Sequence, residues 1–182
     1  MRAVGIDPVG GTRTTFRALL DVMSRPGTVE SVPERADQAV VSTLVDHEVS
    51  VATDDDELRD ALSGQGRLDA AAHDTADIVH VRDHTEFDVT DCQRGSLVEP
   101  SDGATVVYAV EDLVPTTDAD LSTVTLSGPG VDGHTELSVA LPESELAAVA
   151  AAQSDYPRGV DAIFTTEDRV AAVPRSASME VA

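Results

Sequence analysis

All 12 basic residues of this chain are arginines, set against 34 acidic ones, so each cation is scarce enough for its position to matter. Three of them flank turns: Arg25 in Ser24-Arg25-Pro26-Gly27, Arg158 in Pro157-Arg158-Gly159 and Arg175 in Pro174-Arg175-Ser176. A guanidinium beside a turn offers a planar fork for a bidentate contact to a phosphate or carboxylate, and equally for a salt bridge to a nearby acid. The loop Ser127-Gly128-Pro129-Gly130 can present backbone amides to the same kind of anion, or be a plain turn. Arg25, Arg158, Arg175, Gly128 and Gly130 are therefore the anion-contact candidates.

Other constellations carry weaker chemistry. His80 and His84, with Asp83 between them, have one-turn helical spacing for a metal, but no third ligand is visible nearby, and solvated histidines in an acidic loop are the plainer reading. Asp46-His47-Glu48 has the residue types for acid-base work and also the look of an ordinary acidic connection. No Gly-x-Ser-x-Gly elbow supports a serine nucleophile. The absence of lysine removes Schiff-base chemistry and a Walker-type phosphate loop. Cys92 is alone, which excludes an internal disulfide and a cysteine-based zinc knuckle. No catalytic residue, metal or cofactor is assigned.

These residues must be positioned by elements read from periodicity. Tyr156 to Arg175 predicts two strands, Val160 to Thr166 and Arg169 to Val173, with a turn at Glu167-Asp168; Asp161 interrupts the apolar run and, if inward, needs a cationic or hydrogen-bonding partner. Residues 1–13 read as a loosely held lead-in. Phe16, Leu19, Leu20 and Met23 predict the buried stripe of a first helix, with Arg17 and Asp21 paired on its flank, ending before Pro26. A short strand over Thr28 to Val32 follows. Asp37 is the candidate N-cap of a second helix presenting Val40, Val41, Leu44 and Val45. A strand over Val49 to Ala52 then leads to acids at the start of a third helix, with Leu58 and Leu62 inward.

The stretch from about Arg67 to Pro100 is the least legible, apart from a strand over Ile78 to Val81. Ala104 to Val110 reads as a central strand covered on both sides. Leu121 to Leu126 and Thr135 to Leu141 form a further pair, and Pro142 opens a helix running to about Gln153 with Leu146, Val149 and Ala150 facing in. The expected architecture is an α/β sandwich formed as a single domain over residues 1–182 around one core; a chain of this length buries about 70% of its unfolded surface.

A net charge of -22 without lysine fits adaptation to a salt-rich cytoplasm; an acidic protein that binds a basic partner is the rival. Nucleic acid is excluded by the lack of a basic stripe, and no apolar run approaches the roughly 18 residues of a spanning helix. A soluble cytoplasmic protein is expected, with no signal-peptide pattern at the N-terminus.

A series of short motifs then occurs in order: Phe16-Arg17-x-Leu-Leu-x-x-Met23-Ser24-x-Pro26-Gly27, Leu44-x-Asp46-His47-Glu48-x-x-Val51, Gly103-Ala104-Thr105, Leu126-Ser127-Gly128-Pro129-Gly130, Pro157-x-Gly159-Val160-Asp161 and Pro174-Arg175-Ser176. This series resembles the PhnH family, small subunits of the carbon-phosphorus lyase core complex of phosphonate breakdown. The resemblance implies a three-layer sandwich with a central mixed sheet, like pyridoxal-phosphate-dependent transferases but without the cofactor's lysine. It implies assembly with PhnG-, PhnI- and PhnJ-like subunits, helped by a PhnL-like protein. The assembly moves the ribose triphosphate group of ATP to methylphosphonate with release of adenine, as an alpha-D-ribose 1-methylphosphonate 5-triphosphate synthase. On this reading the chain is an accessory subunit, inactive by itself. A stand-alone phosphate-ligand enzyme near Asp46, His47 and the three arginines, or a homodimeric binding module, are the alternatives.

Overall fold

Strands of three to five residues rich in Val, Ile and Ala suit a sheet buried on both faces, and the chain builds one. The computed structural model describes residues 5–7 and 9–182. Its central sheet has the order β1 (Glu30–Ser31), β9 (Arg169–Val173), β8 (Asp161–Thr165), β4 (Thr105–Ala109), β3 (Ile78–Val81) and β2 (Val51–Thr53). β2, β3, β4 and β8 are parallel, while β9 runs antiparallel to both β8 and β1. The hairpin read from Tyr156 to Arg175 is present, with Ile163 opposite Ala172 and Phe164 opposite Ala171. β4 holds an interior place, as its apolar faces require: Val106 and Tyr108 enter one core cluster and Val107 the other.

Three helices, α1 (Gly10–Ser24), α2 (Ala36–Leu44) and α3 (Asp56–Ser63), cover one face of the sheet over Val51, Ile78, Val107, Ile163 and Val170. On the other face lie α4 (Glu143–Gln153) and a second, antiparallel sheet in the order β10 (Ser178–Val181), β6 (Ser122–Ser127), β7 (His134–Val139), β5 (Leu113–Val114). The expected single core is thus split by the central sheet into two clusters. The β6–β7 pair matches the expected strands, whereas β5 and β10 carried no sequence signal, being two residues long and polar-alternating respectively.

Several local expectations fail for physical reasons. Residues 10–13 of the expected lead-in belong to α1, which begins at Gly10, and Ile6 is buried; Asp7, ahead of the cap residue Val9, accepts hydrogen bonds from the amides of Val9 and Gly10. Residues 1–4 and 8 lie outside the described residues. α1 buries Gly11, Thr15, Ala18, Leu19 and Val22; of the predicted stripe Leu19 is buried and Met23 half-buried, while Phe16 and Leu20 are 51% and 56% exposed. Small residues at 11, 15 and 18 let the helix lie close on α2 and β9, and the Thr15 hydroxyl is satisfied by the Gly11 carbonyl at 3.0 Å. Asp21 pairs with Arg25, not Arg17. In α4, Pro142 is the cap rather than the first helical residue, and Ala152 is fully buried while Ala150 is half-buried.

α2 departs most. Arg35, in the left-handed region at φ 63°, takes the capping place, and Asp37 falls in the first turn, buried and turned toward the sheet. The whole run from Ala36 to Ser42 is buried, so α2 is a core helix and not the amphipathic one its apolar positions suggested.

Candidate functional site

Parallel strands deliver their C-terminal ends to one edge of a sheet, and here that edge collects charge. β2 ends at Thr53 and runs into Asp55, the cap of α3; β3 carries His80 and is followed by Arg82; α2 lays the turn holding Asp37 and Gln38 over them. His80 alternates with Val79 and Val81, so it points to the helix face beside Ile78 and is buried.

Thr53 Oγ1 lies 2.8 Å from His80 Nδ1, and His80 Nε2 lies 3.2 Å from Asp37 Oδ2. Arg82 Nε donates to the same Asp37 oxygen at 2.7 Å, and Arg82 also reaches Asp55 Oδ2 at 3.3 Å. Gln38 Nε2 donates to Asp55 Oδ2 at 2.5 Å, while Asp55 Oδ1 accepts from the Leu58 amide at 3.0 Å. The Asp55 amide donates to Thr53 Oγ1 at 3.1 Å. The Thr53 proton is therefore available to His80 Nδ1, which leaves the imidazole proton on Nε2, facing Asp37.

Burial pushes the Asp37 carboxyl up, but the hydrogen bond from His80 and the charge and hydrogen bond of Arg82 outweigh that and hold it at about 2. Asp55 is likewise pushed up by burial and brought below the ordinary carboxylate range by Gln38, the Leu58 amide and Arg82. A Thr-His-Asp series has the composition of a nucleophilic triad. Thr53 is buried, however, with its oxygen engaged by the Asp55 amide, so the series acts as a brace between the sheet, α2 and α3.

Arg82 is the member that faces outward, its side chain 45% exposed. It borders two adjoining cavities that share Ala109, Val110 and Glu111: one of about 330 Å³ with Asp37, Thr166 and Glu167, and one of about 540 Å³ with His84, Asp120 and Ser122. The Thr166 hydroxyl is buried there without a hydrogen-bond partner. Asp37, Glu111, Asp120 and Glu167 dominate the charge of this cleft, and Arg82 is already held by Asp37 and by Asp55 outside it, so a polar or cationic group suits the cleft better than a bare phosphate.

The anion-contact candidates fall elsewhere. Arg175 donates to Asp161 Oδ2 from Nε at 3.1 Å and from NH2 at 2.6 Å, and its remaining reach is taken by the carbonyls of Pro100 and Gly103 at 2.7 and 2.8 Å. The cationic partner required by an inward Asp161 is thus Arg175. Arg158 pairs with Asp155, next to Gly159. Arg25 pairs with Asp21 at 3.1 Å and approaches Glu30 at 3.8 Å, with its side chain 57% exposed.

Gly128 and Gly130 lie in the β6–β7 turn at φ 108° and 83°. A Cβ on Gly130 would strike the Ser24 carbonyl, and one on Gly27 would strike Thr135, so this turn and the Arg25-Pro26-Gly27 loop pack together. Asp46, His47 and Glu48 are exposed in the connection before β2, which β3 and β4 separate from β8 and Arg175. His80 is not the solvated loop histidine that was expected, nor does it share a helix turn with His84, since β3 ends between them.

Sequence reasoning missed Thr53, Asp55 and Arg82 as members of a site, and placed Asp37 only as a cap. The usable signal was alternation in Ile78 to Val81, which turns His80 inward and obliges it to find polar partners.

The fold and this site define an α/β protein with a mixed central sheet, whose buried charges brace the edge of a cleft. Pyridoxal phosphate does not fit it, because the chain has no lysine to form the Schiff base. The family model described as bacterial phosphonate metabolism protein (PhnH) matches residues 5–180, and the chain belongs to that family. It is 28% identical to the alpha-D-ribose 1-methylphosphonate 5-triphosphate synthase subunit PhnH of Rhizobium meliloti (strain 1021), over 96% of this chain and 92% of that protein. It is also 28% identical, over 90% of this chain and 83% of the relative, to a protein of Stutzerimonas stutzeri with the provisional name C-P lyase subunit protein HtxG.

Proposed function

We propose that this chain is an accessory subunit of a carbon-phosphorus lyase core complex, required for transfer of the ribose triphosphate group of ATP to methylphosphonate with release of adenine. The observation that carries the accessory role is the internal commitment of its functional-looking groups: Arg175 is consumed by Asp161 and two carbonyls, and the Thr53-His80-Asp37 series is sealed beneath Arg82. PhnG-, PhnI- and PhnJ-like subunits are the partners, with a PhnL-like protein assisting, and the chemistry lies with them. We read the helices, the central sheet, and the second sheet with α4 as three layers, akin to transferases of the pyridoxal-phosphate fold, in one domain over residues 1–182. Any phosphate contact made by this subunit falls at the paired loops of Arg25 and Gly128–Gly130, where Arg25 is held only by exposed acids.

Co-expression with the three partner subunits in high salt, followed by mass determination, is the test. A stoichiometric complex that releases adenine from ATP and methylphosphonate, beside an isolated chain that does not, is the expected outcome. Turnover by the isolated chain at the rate of the assembly would sink the accessory role.

No helix of the described residues is long and apolar enough to cross a membrane, and the reading places the subunit in a salt-rich cytoplasm. With a net charge of -22, lowering salt from molar to about 0.1 M extends self-repulsion from about 3 Å to about 10 Å, so the fold loosens. Near-UV circular dichroism that stays constant over that range would count against halophilic adaptation.

A further inference from the structure

Half of the large apolar side chains that the described residues leave exposed gather on the outer face of α1. Val9, Phe16 and Leu20 lie within one narrow stripe of the helix, spaced by seven and four residues, and are 71%, 51% and 56% exposed. Met23, partly buried, borders the stripe. Arg13 and Arg17 run alongside it, and among the described residues their guanidinium groups enter no ion pair or hydrogen bond. In a chain of net charge -22, whose other described arginines are held by carboxylates, carbonyls or other acceptors of the fold, this is an island of uncompensated positive charge around exposed apolar side chains.

We propose that this face of α1 is the docking surface for another subunit of the assembly, one presenting an apolar groove or helix rimmed by carboxylates. The inference rests on the subunit role proposed above. Charge complementarity selects the occupant. A second copy of the same chain, paired through a two-fold axis on α1, would lay one copy's Arg13 and Arg17 against the other's, with like charges opposed and no unpaired acid on the stripe to receive them. A different, acidic subunit meets both features at once: its apolar side chains cover Phe16 and Leu20, and its carboxylates satisfy the two arginines. The small residues that draw the inner face of α1 onto α2 and β9 keep the helix rigid, so the stripe is presented preformed.

The test is co-expression of the full chain with the remaining subunits, comparing wild type with Phe16→Ser/Leu20→Ser and with Arg13→Glu/Arg17→Glu. Leu97→Ser/Val98→Ser, at an exposed apolar loop elsewhere, serves as the control. Both α1 variants are expected to reduce incorporation at least about tenfold while the control incorporates normally, since both lie at the centre of the surface. A photo-cross-linking residue in place of Leu20 should join the chain to one other subunit, a readout that survives if a double variant folds poorly. Incorporation indifferent to both α1 variants, cross-linking only to a second copy, or loss confined to the control would overturn the docking face and leave the subunit role standing. Failure of the wild-type chain to assemble would overturn the subunit role itself.

Discussion

Two ion-pair clusters sit at opposite edges of the same parallel strands, and they differ in how far the arginine is withdrawn from solvent. At the N-terminal edge, Arg175 and Asp161 are only 14% and 17% exposed, and Arg175 ties β8 to the carbonyls of Pro100 and Gly103. At the C-terminal edge, Asp37 and Asp55 are buried, yet the arginine they hold lines two cavities. Each cluster borders a cavity, of about 410 Å³ at the first edge and of about 330 and 540 Å³ at the second, so what separates them is the arginine, whose side chain is 14% exposed in the first and 45% exposed in the second. Turn motifs advertised the first cluster. The second, whose arginine is the more exposed, carried no motif.

Removing one partner of the closed cluster should have the largest effect. Arg175→Ala leaves the largely buried Asp161 carboxylate and two carbonyls unpaired, and a loss of about 3 kcal/mol in urea denaturation is expected. Arg175→Lys should not restore it, because an ammonium cannot span the carboxylate and both carbonyls as a planar fork does. An Arg175→Ala chain that kept its stability would break the comparison and return Arg175 to ligand binding.

The open cluster should respond to acid. The Asp37 carboxyl titrates at about 2 in the folded protein, below an unfolded value of about 3.9, so its contribution is fully present above about pH 4 and is lost as pH falls toward 2. The difference corresponds to about 2 kcal/mol. Asp37→Asn should lose that amount at neutral pH and show a flatter fall in the urea midpoint between pH 4 and 2 than wild type. Parallel profiles would mean that another carboxylate carries the acid sensitivity, and would separate Asp37 from the brace.

The smallest effects belong to the exposed pairs. Arg25→Ala and Arg158→Ala should change stability by less than about 0.5 kcal/mol, since both arginines pair with well-hydrated acids. A thermal-melt shift comparable to that of Arg175→Ala at either position would show that exposure does not rank these pairs.

Legibility followed the range of the forces involved. The β8–β9 hairpin, the interior β4, α3 with Leu58 and Leu62 inward and the β6–β7 pair were readable, because period-two and helical patterns and turn residues act within a few positions. The face of α1 was misread because Phe16 and Leu20 weigh more in a hydrophobic pattern than Thr15 and Ala18, while packing distance favours the smaller pair. The Asp37-His80 contact joins residues 43 apart, and no local pattern reports it.

By itself the chain's sequence determined the α/β class, the strands of the hairpin, the lack of any lysine for Schiff-base chemistry and, through ordered short motifs, the family. Only the tertiary structure decided which charges face one another. A buried carboxylate takes as partner whichever cation the sheet order brings to its edge, and that order arises from long-range strand pairing, to which neighbouring residues contribute almost nothing.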